Sequence, residues 1–113
     1  MTIRHRLANR RALETFNVDH EGQRFKIGLG REVFRTAGGL VVGPVFEVFV
    51  NAQKVNSHAD VLASDGAILM SMLLQYGCPP ADIFHAMKRN PDGSPASPLG
   101  CAAAYLVEPA GDA

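Results

Sequence analysis

The pattern of hydrophobic and polar positions predicts β-strands in the first half of the chain. From Arg24 onward, Phe25, Ile27 and Leu29 alternate with polar residues and glycines. A period of two over this length is typical of a strand with one buried face.

A second alternation, in the segment PVFEVFVN, places Phe46, Val48 and Val50 on one side. This pattern predicts another half-buried strand. Gly38 and Gly39 lie between two β-rich stretches, so we expect a hairpin centred on them.

Near Asn56 the period changes from two to about 3.6, which predicts a helix of nearly 20 residues. Ser57, three residues before Asp60, provides a capping signal, and Gly77 followed by prolines ends the helix. We expect the apolar side to face the core, with the methionines in the core or in a core that extends into a dimer seam. That side is formed by Val61, Ile68, Leu69, Met72, Leu73 and Tyr76.

Two shorter helices should follow. Pro80 suits the first turn of a second helix in PADIFHAMKR. Its apolar stripe is Ile83, Phe84 and Met87. Ser97 and Pro98 are typical of the cap and first residue of a third, alanine-rich helix that extends to about residue 107.

Strands followed by helices, rather than alternating with them, indicate an α+β fold. We expect an antiparallel hairpin or meander followed by three helices, the longest packed on one face of the sheet. The predicted single domain, 1–113, comprises a basic arm or short helix over 1–22, strands over 23–51, helices over 57–107 and a frayed tail over 108–113.

Composition is that of a globular protein, with 47% hydrophobic and 19% charged residues. A chain of 113 residues buries enough surface to fold without disulfides or metal. Membrane spans and secretory signals have long apolar runs that this sequence lacks. We therefore expect a cytoplasmic protein that does not bind membranes.

Net charge is zero but unevenly distributed, because residues 1–35 contain eight Lys and Arg against four Asp and Glu. The remainder contains three against seven. The basic N-terminal part would be attracted to phosphates or to an acidic protein face, although a flexible solvated arm is the simpler and favoured explanation of the charges.

Cys78, His85 and Cys101 are weak candidates for a metal or thiol site. Zinc sites usually show close cysteine or histidine pairs, and none is present here. Nucleophilic catalysis requires a base beside the nucleophile, and neither His58 nor His85 has such a local signature with a cysteine. The sequence therefore predicts no catalytic residue, no metal and no cofactor.

The segments PVFEVFVNAQKVNS and ASDGAILMSMLLQYGCPPADIFHAMKRNPDGSPASPLGCAAAYL resemble the TSCPD domain family. Members occur at the C-terminus of cobalamin-dependent ribonucleotide reductases and as short freestanding bacterial proteins. The matching features include EVFV in a strand, LLQYG at a helix end, PPADI at a helix start and SPLG at the last helix. The leader RLANRRALETFNVDHEGQRFKI also looks like that of the freestanding members, so the resemblance covers roughly residues 6–107.

Two features depart from the family. Its Thr-Ser-Cys-Pro-Asp signature corresponds to the segment 96–100, where Ser97 remains and Pro98 replaces the cysteine. The connection between the first two predicted strands looks longer than usual, which suggests a protruding hairpin over 35–40.

The resemblance implies an accessory module, non-catalytic on its own, because 113 residues cannot contain the reductase barrel. It links the chain to ribonucleoside-diphosphate reductase and deoxyribonucleotide metabolism, with a reductase, a nucleotide or nucleic acid as the partner. The candidate phosphate contacts are Arg4, Arg6, Arg10 and Arg11 in the arm, with Arg24 and Lys26 on the open strand face.

Two alternatives remain. The chain could be a homodimeric structural or regulatory protein with no nucleotide link, associating through the face of Met72 or Phe49. A weaker alternative is a thiol enzyme that uses Cys101.

Overall fold

The computed structural model describes residues 3–7 and 11–107. Three strands precede three helices, so the predicted α+β order is confirmed. The strands are β1 (Arg11–His20), β2 (Gln23–Thr36) and β3 (Gly39–Ala52), and the helices are α1 (His58–Gln75), α2 (Pro80–Ala86) and α3 (Pro98–Val107). The predicted tail over 108–113 lies outside the described residues.

The sheet is an antiparallel meander with strand order β1-β2-β3. Glu21 and Gly22 connect β1 to β2 with φ values of 51° and 78°, the positive values that a tight hairpin turn with the sheet's twist requires. The predicted glycine hairpin connects β2 to β3, where Thr36 pairs with Gly39. Its distal part exposes Leu40 and its neighbours, consistent with the expected protrusion.

β1 corrects the prediction of an arm or short helix over 1–22. Its ten residues pair with β2 from Arg11 opposite Glu32 to His20 opposite Gln23. Only Phe16 and Val18 mark the apolar alternation, and both pack against the core. The surrounding charged residues obscured this short signal in the sequence.

The core lies between the sheet and the helices. Both predicted strand faces are confirmed: Ile27 and Leu29 of β2, and Val48 and Val50 of β3, are almost completely buried. The helices contribute apolar residues, four of them alanines, to the same cluster: Ala63, Ala67, Met70, Leu74, Ile83, Ala102 and Ala103.

α1 begins and ends as predicted, but its apolar side faces the opposite way. The Ser57 hydroxyl accepts the backbone N–H of Asp60, and Gly77 follows the helix with a φ of 92°. However, the stripe predicted to face the core is largely exposed: Val61, Ile68, Leu69, Leu73 and Tyr76 each retain between 42% and 62% of their surface.

Polar side chains on the inner face of α1 cap the free edge of β3. Ser71 accepts the N–H of Val48 at 2.8 Å, and Asp60 accepts that of Ala52 at 2.8 Å. The remaining caps are hydroxyl and amide donors: Ser71 to the Val48 carbonyl, Ser64 to the Val50 carbonyl and Gln75 to the Phe46 carbonyl. Since an uncapped edge would offer these groups to another chain, the inner face must carry polar residues.

α2 and α3 complete the helical side of the fold. The predicted cap of α3 is confirmed, since Ser97 accepts the N–H of Gly100 at 3.0 Å. Gly66 allows α1 and α3 to approach, because a Cβ at this position would clash with the side chain of Leu99.

Candidate functional site

The side of the sheet away from the helices presents polar and basic residues in register. Asn17, Lys26 and Asn51 lie side by side across β1, β2 and β3. The next row toward the β1–β2 turn contains Asp19 and Arg24. We call this surface the open face.

Two solvent-accessible clefts bring these residues together with the start of α1. One, of about 550 Å³, is lined by Asn17, Arg24, Lys26, Asn51, Ala52 and Gln53. The other, of about 490 Å³, is lined by Gly22, Gln23, Arg24, Ala52, Gln53, Lys54, Ser57, His58 and Ala59. The two clefts share Arg24, Ala52 and Gln53. We call them together the basic depression, because Arg24, Lys26 and Lys54 line them beside an imidazole and several amides.

Acidic groups lie among these cations. Asp19 accepts a hydrogen bond from Nε of Arg24 at 3.2 Å, which uses one of the five N–H donors of the guanidinium. Asp60 lies close by, where its carboxylate accepts the N–H groups of Ala52 and Asn56, and Glu21 is exposed in the β1–β2 turn. Lys26 and Lys54 are exposed and form no ion pair within the described residues, so both remain available to an anion.

An exposed aromatic ring borders the basic row. Phe49 lies opposite Gly28, one row along the sheet from Lys26, and remains 45% exposed. A Cβ at position 28 would already contact Phe49 and Leu13 at 3.4 Å. These are ordinary contact distances, so the ring of Phe49 lies close to the sheet at position 28 and exposes part of its surface to solvent.

The structure separates the predicted phosphate contacts that lie within the described residues. It brings Arg24 and Lys26 together on the open face. Arg11 lies opposite Glu32, about 25 Å along the strands from Arg24 at roughly 3.3 Å per residue, and its Nη1 donates to Glu47 at 2.7 Å.

The remaining predicted contacts belong to the N-terminal segment. Nε of Arg4 donates to the side chain of Gln75 at 2.6 Å. Arg6 is exposed, and Arg10 lies outside the described residues. Arg4 and Arg11 are therefore engaged in contacts far from the basic depression.

Sequence reasoning missed Lys54, His58 and Phe49 as members of this site. Lys54 and His58 flank the start of α1, and only the pairing of β2 with β3 brings them to Arg24. Phe49 was considered only as part of a dimer face. Phe49 lies opposite Gly28 and beside the row of Lys26, and only the register of β2 with β3 shows this.

The cysteines are not brought into a common site with His85. Within 3–7 and 11–107, no group of three or more His, Cys, Asp or Glu residues is placed to hold a metal ion. Burial raises the pKa of the Cys101 thiol, which disfavours the nucleophilic thiolate at neutral pH. Cys78 is half-buried with a long contact of 3.8 Å from Sγ to the Pro79 carbonyl.

No helix within the described parts of the chain is long and apolar enough to cross a bilayer.

The sequence matches no protein-family model, and comparisons with curated proteins and with solved structures give no match either.

Proposed function

We propose that this chain is a small non-catalytic binding module that holds a nucleotide unit, free or within a single-stranded nucleic acid, on its open face. The observation that carries the proposal is the adjacency of Lys26, with Asn17 and Asn51 beside it, to the exposed ring of Phe49. Cations bind phosphate, and an aromatic face stacks bases of any sequence.

The spacing of the rows fits this division of roles. Neighbouring residues on one face of a strand are about 6.7 Å apart, so the basic row and the ring lie one such step from each other. The amide of Asn17 can donate to and accept from a base edge or sugar. Nδ2 of Asn51 donates to Oγ of Ser64 at 3.1 Å, so Asn51 offers its amide oxygen as an acceptor. Arg24 and Lys54 extend the cationic surface for a second phosphate.

We further propose that the module acts beside a ribonucleotide reductase in the cytoplasm. The TSCPD resemblance supports this link, and nucleotide binding on the open face would be consistent with deoxyribonucleotide metabolism. The two cysteines, Cys78 and Cys101, are free thiols, as expected in a reducing compartment.

Binding is tested by fluorescence anisotropy with a labelled oligomer of about ten thymidines and by competition with ATP. We expect Lys26→Ala to weaken oligomer binding about tenfold and to reduce the slope of log affinity against log salt by about one. Phe49→Ala should weaken it about fivefold or more through loss of stacking. ATP competition at similar affinity would identify a free nucleotide as sufficient, whereas failure of ATP to compete would identify the polymer.

Matched controls are available elsewhere on the surface. Lys88→Ala removes an exposed lysine of the α2–α3 connection, and Leu40→Ala removes an exposed apolar side chain at the hairpin end. Both should bind like the unmodified protein. Equal losses from Lys26→Ala and Lys88→Ala, or affinity that is insensitive to salt, would rule out the open face as the site.

The reductase link has its own test. Affinity-tagged protein from the native host should co-purify reductase peptides, and its addition should alter reductase activity. Retention of nucleotide binding without either effect would leave a binding module with no reductase role.

A further inference from the structure

One side of α1 presents a continuous apolar surface, which we call the outer stripe. It comprises Val61, Leu62, Ile68, Leu69, Leu73 and Tyr76, with Met72 half-buried beside them. Asp65 is the single acidic residue within it. The six exposed side chains present on the order of 500 Å², near the upper end of the roughly 300–600 Å² found for the largest apolar patch on a monomer.

A rotation of α1 about its axis could not bury this surface without breaking other contacts. The opposite side of α1 supplies Asp60, Ser64, Ser71 and Gln75 to the edge of β3. Turning the large apolar residues inward would leave the strand's backbone groups without these partners. The outer stripe is thus a fixed feature of the fold.

The spacing of the stripe matches that of a two-helix seam. Leu62, Asp65, Leu69, Met72 and Tyr76 follow one another at intervals of three and four residues. This is the alternation of a and d positions in a coiled coil, with Leu62, Leu69 and Tyr76 at a, and Asp65 and Met72 at d.

We propose that the occupant is a second copy of this chain, bound through an antiparallel α1–α1 pair about a two-fold axis. Setting Leu69 against Met72 of the other copy also sets Asp65 against Tyr76, each pair occurring twice. These core positions therefore partner one another, as an isologous interface requires, while Ile68 and Leu73 flank the seam on opposite sides.

The chemistry of these pairs is complementary as well as their positions. Leu69 and Met72 are both apolar and pair only with each other. The carboxylate of Asp65 meets the hydroxyl of Tyr76, which can donate to it. A partner of different sequence would have to provide this match independently.

The buried area is sufficient for such a dimer. Two copies of the stripe would remove about 1,000 Å², the size at which specific interfaces begin. Arg24 and Lys26 of the open face lie on the other side of the sheet from the helices, whereas Phe49 and Asn51 line one cleft together with Ile68 and Met72, so the two surfaces meet at the edge of β3.

Sedimentation equilibrium of the full chain tests the proposal. At about 100 µM, enough to populate a dimer with a Kd near 10 µM, we expect the mass of two chains. Leu69→Glu should weaken association at least tenfold, so that at least about half of the chains are monomeric at this concentration. Leu40→Glu, at an equally exposed leucine outside the stripe, should remain dimeric.

A charge-pair variant tests whether the two copies associate in this register, because a substitution that weakens association in another way would not be rescued by it. Combining Leu69→Glu with Met72→Lys places opposite charges across the axis, and we expect at least tenfold recovery of affinity over Leu69→Glu alone. Combining Leu69→Glu with Met72→Glu places like charges there and should remain monomeric.

Circular dichroism melts check that these variants fold, with Ile68→Ser as a milder substitution if Leu69→Glu does not. A monomeric unmodified protein, a dimer that both Leu69→Glu and Ile68→Ser leave intact, or an absence of recovery in the charge-pair variant would each overturn the proposal.

Discussion

Asp60 joins three parts of the chain through one carboxylate. It accepts the N–H of Ala52 at the end of β3 and the N–H of Asn56, each at 2.8 Å. Its own N–H is donated to the capping hydroxyl of Ser57. Asn56 has a φ of 60°, so the same bond also holds a residue in a backbone conformation that non-glycine residues rarely adopt.

We expect Asp60→Asn to lower the melting temperature at pH 7 by several degrees. The amide retains one oxygen, so its NH₂ group would face one of the two backbone donors. Thermal unfolding by circular dichroism measures the effect. Asp82→Asn, at an exposed carboxylate of α2, is the matched control and should melt within about a degree of the unmodified protein.

The same bonds make this stabilisation pH-dependent. The N–H groups of Asn56 and then of Ala52 lower the pKa of Asp60 below its ordinary value of 3.8. Because the folded pKa is the lower one, the contribution is present above pH 3.8 and is lost as the pH falls through the folded pKa. The difference in melting temperature between the unmodified protein and Asp60→Asn should therefore shrink at pH 2 to 3, and a constant difference would contradict this origin.

At the scale of elements, α1 shows how a sequence can predict the period of a helix correctly and still not show which of its faces is buried. The sequence pattern correctly predicts the start, the end and the 3.6-residue period of this helix. The direction of the core is hidden, because Asp60, Ser71 and Gln75 look like a solvated face but bind the edge of β3. A single sequence does not show which strand edge will be free, so it cannot show that a polar helix face is needed there.

Ser71→Ala tests the role of the inner face of α1. The substitution leaves the edge N–H of Val48 without its partner, and we expect the free energy of unfolding to fall by about 1–2 kcal/mol. Ser64→Ala removes a bond of 3.2 Å to the Val50 carbonyl and the acceptor of the exposed Asn51 amide. It should cost less, since carbonyl oxygens tolerate partial satisfaction better than N–H groups and an exposed amide can bond to water instead.

Urea denaturation gives both values. If Ser64→Ala costs as much as or more than Ser71→Ala, the edge N–H of Val48 is not the important bond. A faster rise in light scattering for Ser71→Ala would further indicate that the uncapped edge promotes association.

The open face was only partly predictable, because strand pairing and register decide which charged residues meet there. Alternation in the sequence places Arg24 and Lys26 on the exposed side of their strand, as the structure does. The contribution of Lys54 depends on pairing between β2 and β3, and the diversion of Arg11 to Glu47 depends on their register with β1. Charge counts along the chain therefore identified a basic N-terminal part without locating its basic surface.

For the whole molecule, the N-terminal segment connects elements that are distant in sequence. The N–H of His5 donates to the Gln75 carbonyl at 2.6 Å, and its ring stacks on Phe46 with centroids 4.4 Å apart. Nε2 of the same ring lies 2.5 Å from the carboxylate of Glu32, which is buried in β2. Residues 3–7 thus link the end of α1 to two strands.

We expect His5→Ala to lower the free energy of unfolding by about 1–2 kcal/mol, because it removes both the ring stacking and one hydrogen-bond partner of a buried carboxylate. A hydrogen bond to a charged group can contribute more than this. The His5 side chain is 42% exposed, however, so solvent weakens its contact with Glu32. Arg6→Ala, at an exposed neighbour, is the control and should change stability by less than about 0.5 kcal/mol.

A double-mutant cycle separates the carboxylate contact from the stacking. His5→Ala, Glu32→Gln and their combination are compared by urea denaturation, and we expect a coupling energy of at least about 0.5 kcal/mol for residues in direct contact. The stacking on Phe46 is lost in both variants that lack His5, so it cancels in the cycle. Additive effects would show that the His5 side chain stabilises the fold through Phe46 alone, and that the buried carboxylate is held by the rest of its surroundings.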